Sequence, residues 1–194
     1  MLKRNLIVAL GAMLAVGQAA FGANLLLNPG FEDGVLPPWT NSSDFCGGCT
    51  WSAISTDAQS GTWSAEVDGN RLLLQTFAAV NVGLINQVSF WARHPDGGLG
   101  MAVVLMYDDA TETEDLISTV GTEWEFFDVT SFLAPGKNLV GFGVYGNSGG
   151  LARFDSALVD ARESNGGGGV PEPATFALMG AGLAAVALRR RMRG

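Results

Sequence analysis

Between two terminal apolar runs, the polar and apolar positions of this chain alternate in short bursts. From Asn24 to Ala161 no stretch sustains the i, i+3, i+4 spacing of a buried helix face. Alternating or β-rich runs recur instead between Gly, Asn, Asp and Pro punctuation. In 87–93, Val88, Phe90 and Ala92 share one face of a strand, and Ser89, Trp91 and Arg93 share the other. In 138–144, Val140, Phe142 and Val144 alternate with Gly141 and Gly143. The pattern predicts strands at 24–27, 51–56, 64–67, 72–77, 87–93, 101–108, 115–118, 123–129, 138–144 and 152–160. So many short strands in one body predict an all-β, two-sheet sandwich, long enough to bury its own core. Trp63, in phase with Ala65 and Val67, is expected to face that core.

The ends are of another kind. Lys3 and Arg4 precede an apolar run from Leu6 to Val16 and a small-residue stretch from Gly17 to Ala23. A charged start, a short apolar core and small residues at the cut make 1–23 a signal peptide. Both Gly17-Gln18-Ala19 and Ala20-Phe21-Gly22 place small residues where the peptidase reads, so cleavage is expected between Ala19 and Ala23. The body, 24–163, then leads through a Gly-rich linker, 164–169, into Val170-Pro171-Glu172-Pro173. An apolar run at 174–188 follows, closed by Arg189, Arg190, Arg191 and Arg193. An arginine cluster stays cytoplasmic, so an exported body lies outside with a short helix in the membrane.

Residues 170–194 resemble the PEP-CTERM sorting signal: a Pro-Glu-Pro, an apolar helix and an arginine cluster, in that order. The resemblance implies export and transit through the inner membrane of a Gram-negative bacterium on a transmembrane sorting helix. It also implies processing by an exosortase-type protease and delivery to the cell surface or extracellular matrix beside exopolysaccharide or biofilm.

Charge narrows the partners. Within 24–164 there are 18 acids against 5 bases, so 5 − 18 = −13, which repels a phosphate backbone and excludes nucleic acid. Cys46 and Cys49, separated by two glycines, are expected to form a local disulfide in an oxidising compartment. Free or metal-binding thiols and a redox pair are the alternatives. One C-x-x-C brings two of the four ligands zinc takes, and no helix pattern follows it. His94 lies in a loop sequence, no phosphate loop occurs, and the acids of 108–115 read as a solvated loop. A non-enzyme is expected. The alternatives are a secreted hydrolase-like enzyme working on glycans and a purely structural matrix protein.

Asn24-Leu25-Leu26-Leu27-Asn28-Pro29-Gly30-Phe31-Glu32-Asp33-Gly34 with Trp39 is similar to the opening of carbohydrate-binding modules with a galactose-binding-domain-like jelly roll. Ser60–Val67, Trp124 before Asp128-Val129-Thr130, and Arg153–Asp160 follow in the family's order. The resemblance implies a jelly-roll β-sandwich, and a structural calcium tying the first strand to the last. Its ligands would be Glu32, Asp57, the Thr62 carbonyl and Asp155, with a carbonyl near Pro29 completing the set. The resemblance also implies binding of a glycan or exopolysaccharide. Trp91 with Arg93 on the face opposite Phe90, and Tyr107 or Tyr145 from neighbouring strands, are the candidates for stacking on sugar rings. Covering the core or a sheet edge is the competing role for each.

Overall fold

The strands form where alternation predicts them, with one addition. A computed structural model describes residues 22–44, 47–97, 100–117, 120–146 and 150–162. Its strands are β1 (Ala23–Asn24), β2 (Thr40–Asp44), β3 (Ser52–Ile54), β4 (Ser64–Asp68), β5 (Arg71–Asn81) and β6 (Ile85–Arg93). They continue as β7 (Met101–Tyr107), β8 (Glu112–Ile117), β9 (Glu125–Asp128), β10 (Asn138–Tyr145) and β11 (Leu151–Ala161). The addition is β2, Thr-Asn-Ser-Ser-Asp, which has no alternation to reveal it. It exists because it pairs with β5, Thr40 opposite Leu74 and Asn41 opposite Leu73. The acidic stretch expected as a loop is in part β8, which starts at Glu112 because it pairs with Met106 at the end of β7.

Two antiparallel sheets result. The first runs β3-β4-β11-β6-β9, with β1 also on β11, and the second runs β2-β5-β10-β7-β8. Their facing sides bury Val88, Phe90 and Ala92 of β6, Val103 and Leu105 of β7, Phe142 and Val144 of β10, and Phe154 and Val159 of β11. Aromatic rings fill the centre. Phe154 meets Trp39, Phe31, Phe90 and Trp51 at centroid distances of 5.5, 5.7, 5.5 and 6.4 Å. The buried indoles keep their N–H groups bonded: Trp39 Nε1 donates to the Asn28 carbonyl at 3.1 Å and Trp51 Nε1 to the Arg71 carbonyl at 2.7 Å. Trp63 lies at the rim of this core, partly buried against it. A second buried cluster, Leu72, Ala102, Val104 and Tyr145, lies on the outer side of the second sheet.

Residues 1–21 of the expected signal peptide and the sorting segment fall outside the described residues; Gly22 and Ala23 are described, and Ala23 opens β1. Among the described residues no helix is long and apolar enough to cross a membrane.

Candidate functional site

Strand parity places an aromatic pair on the outer face of the first sheet. In the β6–β9 pair, Phe90 stands opposite Phe127 and Trp91 opposite Phe126. Phe90 and Phe127 turn inward, with centroids 5.5 Å apart. Trp91 and Phe126 must then share the outer face, where their rings lie 5.5 Å apart at 58°. Phe126 is 48% exposed. Trp91 is legible from alternation, and Phe126 from its neighbour Phe127. Of two consecutive aromatics on a strand, one has to face outward.

Charged side chains border this pair. Arg93 stands opposite Arg153 across β6 and β11, and Arg153 opposite Glu66 across β11 and β4. Two guanidiniums side by side need anions. Arg153 Nε donates to Glu66 Oε2 at 2.7 Å, and Asp57 Oδ2 takes Arg93 Nη1 at 3.0 Å together with Arg153 Nη1. Asp57 Oδ1 accepts Trp124 Nε1 at 3.1 Å, and the Asp57 carbonyl accepts Ser64 Oγ at 2.6 Å. The β3–β4 loop and Trp124 are thereby pinned to the first sheet beside Trp91.

The other predicted aromatics lie elsewhere. Tyr107 is core: its register turns it inward, and its hydroxyl pairs with Thr113 Oγ1 at 3.1 Å while accepting the Ala134 N–H at 2.9 Å. Tyr145 lies on the outer side of the second sheet, in the Leu72 cluster. Of the four predicted sugar contacts, the fold brings only Trp91 and Arg93 together.

The predicted calcium ligands are brought together only in part. Glu32 and Asp155 do meet, from opposite ends of the chain, around Gly30. A Cβ on Gly30 would stand 3.5 Å from Asp155 Oδ1 and 3.9 Å from Glu32 Cγ. Both carboxylates are occupied by backbone donors. Glu32 Oε1 accepts the N–H groups of Thr62 and Trp63 at 3.0 and 2.9 Å. Asp155 Oδ2 accepts those of Gln59 and Ser60 at 2.8 and 3.2 Å, and Oδ1 that of Ser156 at 2.6 Å. The Thr62–Trp63 peptide is trans, so the Thr62 carbonyl points away from the Trp63 N–H and hence away from Glu32. Asp57 is committed to its arginines. The four do not fit one Ca²⁺ donor set as arranged; they form a hydrogen-bonded clasp. Phe31 and Ser156, beside its two acids, sit in the left-handed region at φ 59° and 50°, where non-glycine residues pay a conformational cost.

Burial pushes the Asp155 pKa up to about 6, against the pull of the Ser60, Gln59 and Ser156 N–H groups. His94, expected in a loop, is buried: Nδ1 lies 3.0 Å from the Leu151 carbonyl, and desolvation lowers its pKa. Cys49 is disulfide-bonded. Cys46 lies outside the described residues, as do Val170, Pro171, Glu172, Pro173, Arg189, Arg190 and Arg191.

Residues 169–191 match the family model of the PEP-CTERM protein-sorting motif. No curated protein matches the chain. Among solved structures, TmCBM61 in complex with β-1,4-galactotriose is similar at TM-score 0.55 and 21% identity, covering 72% of this chain and 99% of its own. A family 16 carbohydrate-binding module is similar at TM-score 0.54 and 17% identity, covering 70% and 98%. The CBM22-1 xylan-binding domain of Paenibacillus barcinonensis Xyn10C is similar at TM-score 0.52 and 15% identity, covering 76% and 99%. The chain thus joins a C-terminal PEP-CTERM sorting motif to a body with the β-sandwich fold of carbohydrate-binding modules.

Proposed function

We propose that this chain is an exported, non-enzymatic glycan-binding protein, sorted to the surface or matrix of a Gram-negative cell. The sorting motif supports the route: export, a pause at the membrane, and cutting by an exosortase-type protease near residue 170. The observation that carries the binding role is the Trp91–Phe126 pair, a half-buried indole beside an exposed phenyl ring on the outer face of a sandwich of this fold. Pyranose rings stack their C–H faces on such rings, while neighbouring N–H and carboxylate groups bond the hydroxyls. The guanidiniums are matched by Asp57 and Glu66, and the body around them is strongly acidic, which favours an uncharged polysaccharide over a polyanionic one.

Affinity electrophoresis of the full chain in gels containing β-1,4-galactan, xylan or a uronic-acid polymer tests the reading. Retardation by a neutral polymer, reduced tenfold or more by Phe126→Ala, is expected. Tenfold corresponds to about 1.4 kcal/mol, within reach of one stacking contact. No retardation by any glycan, or retardation that Phe126→Ala and Trp91→Ala leave intact, would exclude this surface. Mass spectrometry of the surface protein tests the route: Arg189–Gly194 intact on the mature chain would point to a plain anchor.

A further inference from the structure

The fold carries a mark of where the leader is cut. β1 places Ala23 opposite Ala161 and Asn24 opposite Asp160. From Asn24 onward the chain is tied down at once. Asn24 Nδ2 donates to the Ala157 carbonyl at 2.9 Å, its Oδ1 accepts the Val159 and Leu26 N–H groups at 3.0 and 3.1 Å, and the Leu25 N–H donates to the Val159 carbonyl at 3.0 Å.

Asp160 is the unfinished partner in this ladder. Its Oδ2 accepts Asn86 Nδ2 at 3.1 Å, whereas its Oδ1 is buried with no hydrogen-bond partner among the described residues. Arg162, the cation nearest in sequence, directs Nε to Asn86 Oδ1 at 2.6 Å. A buried carboxylate oxygen without a donor costs free energy until one is supplied. The position beside it is Gly22. A Cβ there would stand 2.0 Å from Asp160 Oδ1 and 2.4 Å from the Ala161 carbonyl oxygen, so no other residue fits without displacement. By bond lengths, the Gly22 Cα lies within about 3.5 Å of Oδ1 and the Ala23 nitrogen within about 6 Å.

We propose that signal peptidase cuts between Gly22 and Ala23, and that the α-ammonium it creates pairs with Asp160. The inference rests on the export reading. Hydrolysis breaks the Gly22–Ala23 C–N bond. Water gives its oxygen to the Gly22 carbonyl carbon, which leaves as the carboxylate of the leader, and both of its protons to the Ala23 nitrogen, which becomes the ammonium. An α-amino group titrates near 7.7–8.0, so at neutral pH it is mostly –NH₃⁺ with three donors. One can stay with Ala161 opposite, and another turns to Asp160 Oδ1 in the space Gly22 vacates. Of the two peptidase sequences, Ala20-Phe21-Gly22 gives this product. A cut after Ala19 leaves Gly22 in place and the ammonium three residues away. Processing and the last ion pair of the fold are then one event.

Two measurements on the exported protein test this. N-terminal sequencing with intact mass should give Ala23 as the first residue. The pH dependence of α-amine acylation should place the terminal amine about one unit above its ordinary range, and Asp160→Asn should return it to that range. A different first residue beyond Met1, or an Ala23 amine with ordinary titration in the wild-type chain, would overturn the proposal. An intact Met1 would overturn the export reading instead. The first residue and the wild-type titration decide the matter even if Asp160→Asn fails to fold.

Discussion

Raising the pH from 4 to 8 should cost the sandwich stability through one carboxylate. Asp155 has 0% of its surface exposed, and burial lifts its pKa from 3.8 to about 6. A folded pKa above the unfolded one means that the fold takes up a proton the unfolded chain gives away. The stability Asp155 contributes is therefore fully present below pH 3.8 and is lost as the pH rises through 6. About two units at 1.36 kcal/mol each make this roughly 3 kcal/mol. With a urea m-value of about 1–3 kcal/mol/M, the unfolding midpoint should fall by about 1–3 M across that interval. His94 acts in the opposite sense. Its folded pKa lies below 6.5, so its contribution is present above pH 6.5 and lost as the pH falls through the lowered value. Urea titrations at half-unit pH steps, on the wild-type chain, Asp155→Asn and His94→Gln, separate the two limbs. The loss between pH 4 and 7 should vanish in Asp155→Asn and stand out in His94→Gln. A wild-type profile that Asp155→Asn leaves unchanged would refute the assignment.

Gly61→Ala should destabilise by about 1–3 kcal/mol, because φ is +65° and the new Cβ would stand 2.4 Å from Glu32 Oε1; thermal melting reads it. With Asp57 and the Thr62 carbonyl turned elsewhere, the Glu32–Asp155 clasp is expected to hold by hydrogen bonds, so melting should shift by less than about 2 °C between chelator and millimolar Ca²⁺, which corresponds to well under 1 kcal/mol. A larger rise that disappears in Asp155→Ala would restore calcium as the clasp. Phe154→Ala, at the centre of the aromatic core, should cost about 3–5 kcal/mol by chemical denaturation. Asp57→Asn should loosen both arginines and Trp124, giving faster proteolysis in the β3–β4 loop with a smaller change in melting.

Strand parity made the inner faces legible. Val88, Phe90 and Ala92 alternate on β6 with Trp91 and Arg93, and a period of two leaves no freedom about which row meets the core. Length and polarity hid β2, since a polar edge strand exists by virtue of its neighbour and carries no pattern of its own. The site was half legible for a related reason. Parity says that Tyr107 and Tyr145, on different strands, each point somewhere, but not to which side; only the registers of β7 and β10 send one into the core and the other to the far face. The acidic residues illustrate a different limit. Glu32 and Asp155 converge as the order of motifs implies, whereas Asp57 is drawn off by Arg93 and Arg153. Those two become neighbours only when β6 and β11 pair, a contact 60 residues apart that no local spacing encodes.

Because β1 and the end of β11 are hydrogen-bonded neighbours, the body begins and ends at one place. Closely spaced ends let a module be spliced into a longer chain, or held from a single side, without straining its interior. They also set how it yields to force. Pulling apart antiparallel partners at Ala23 and Ala161 loads their hydrogen bonds one after another, as in opening a zip. The two-residue strand should detach at low tension while the sheets behind it keep their shape.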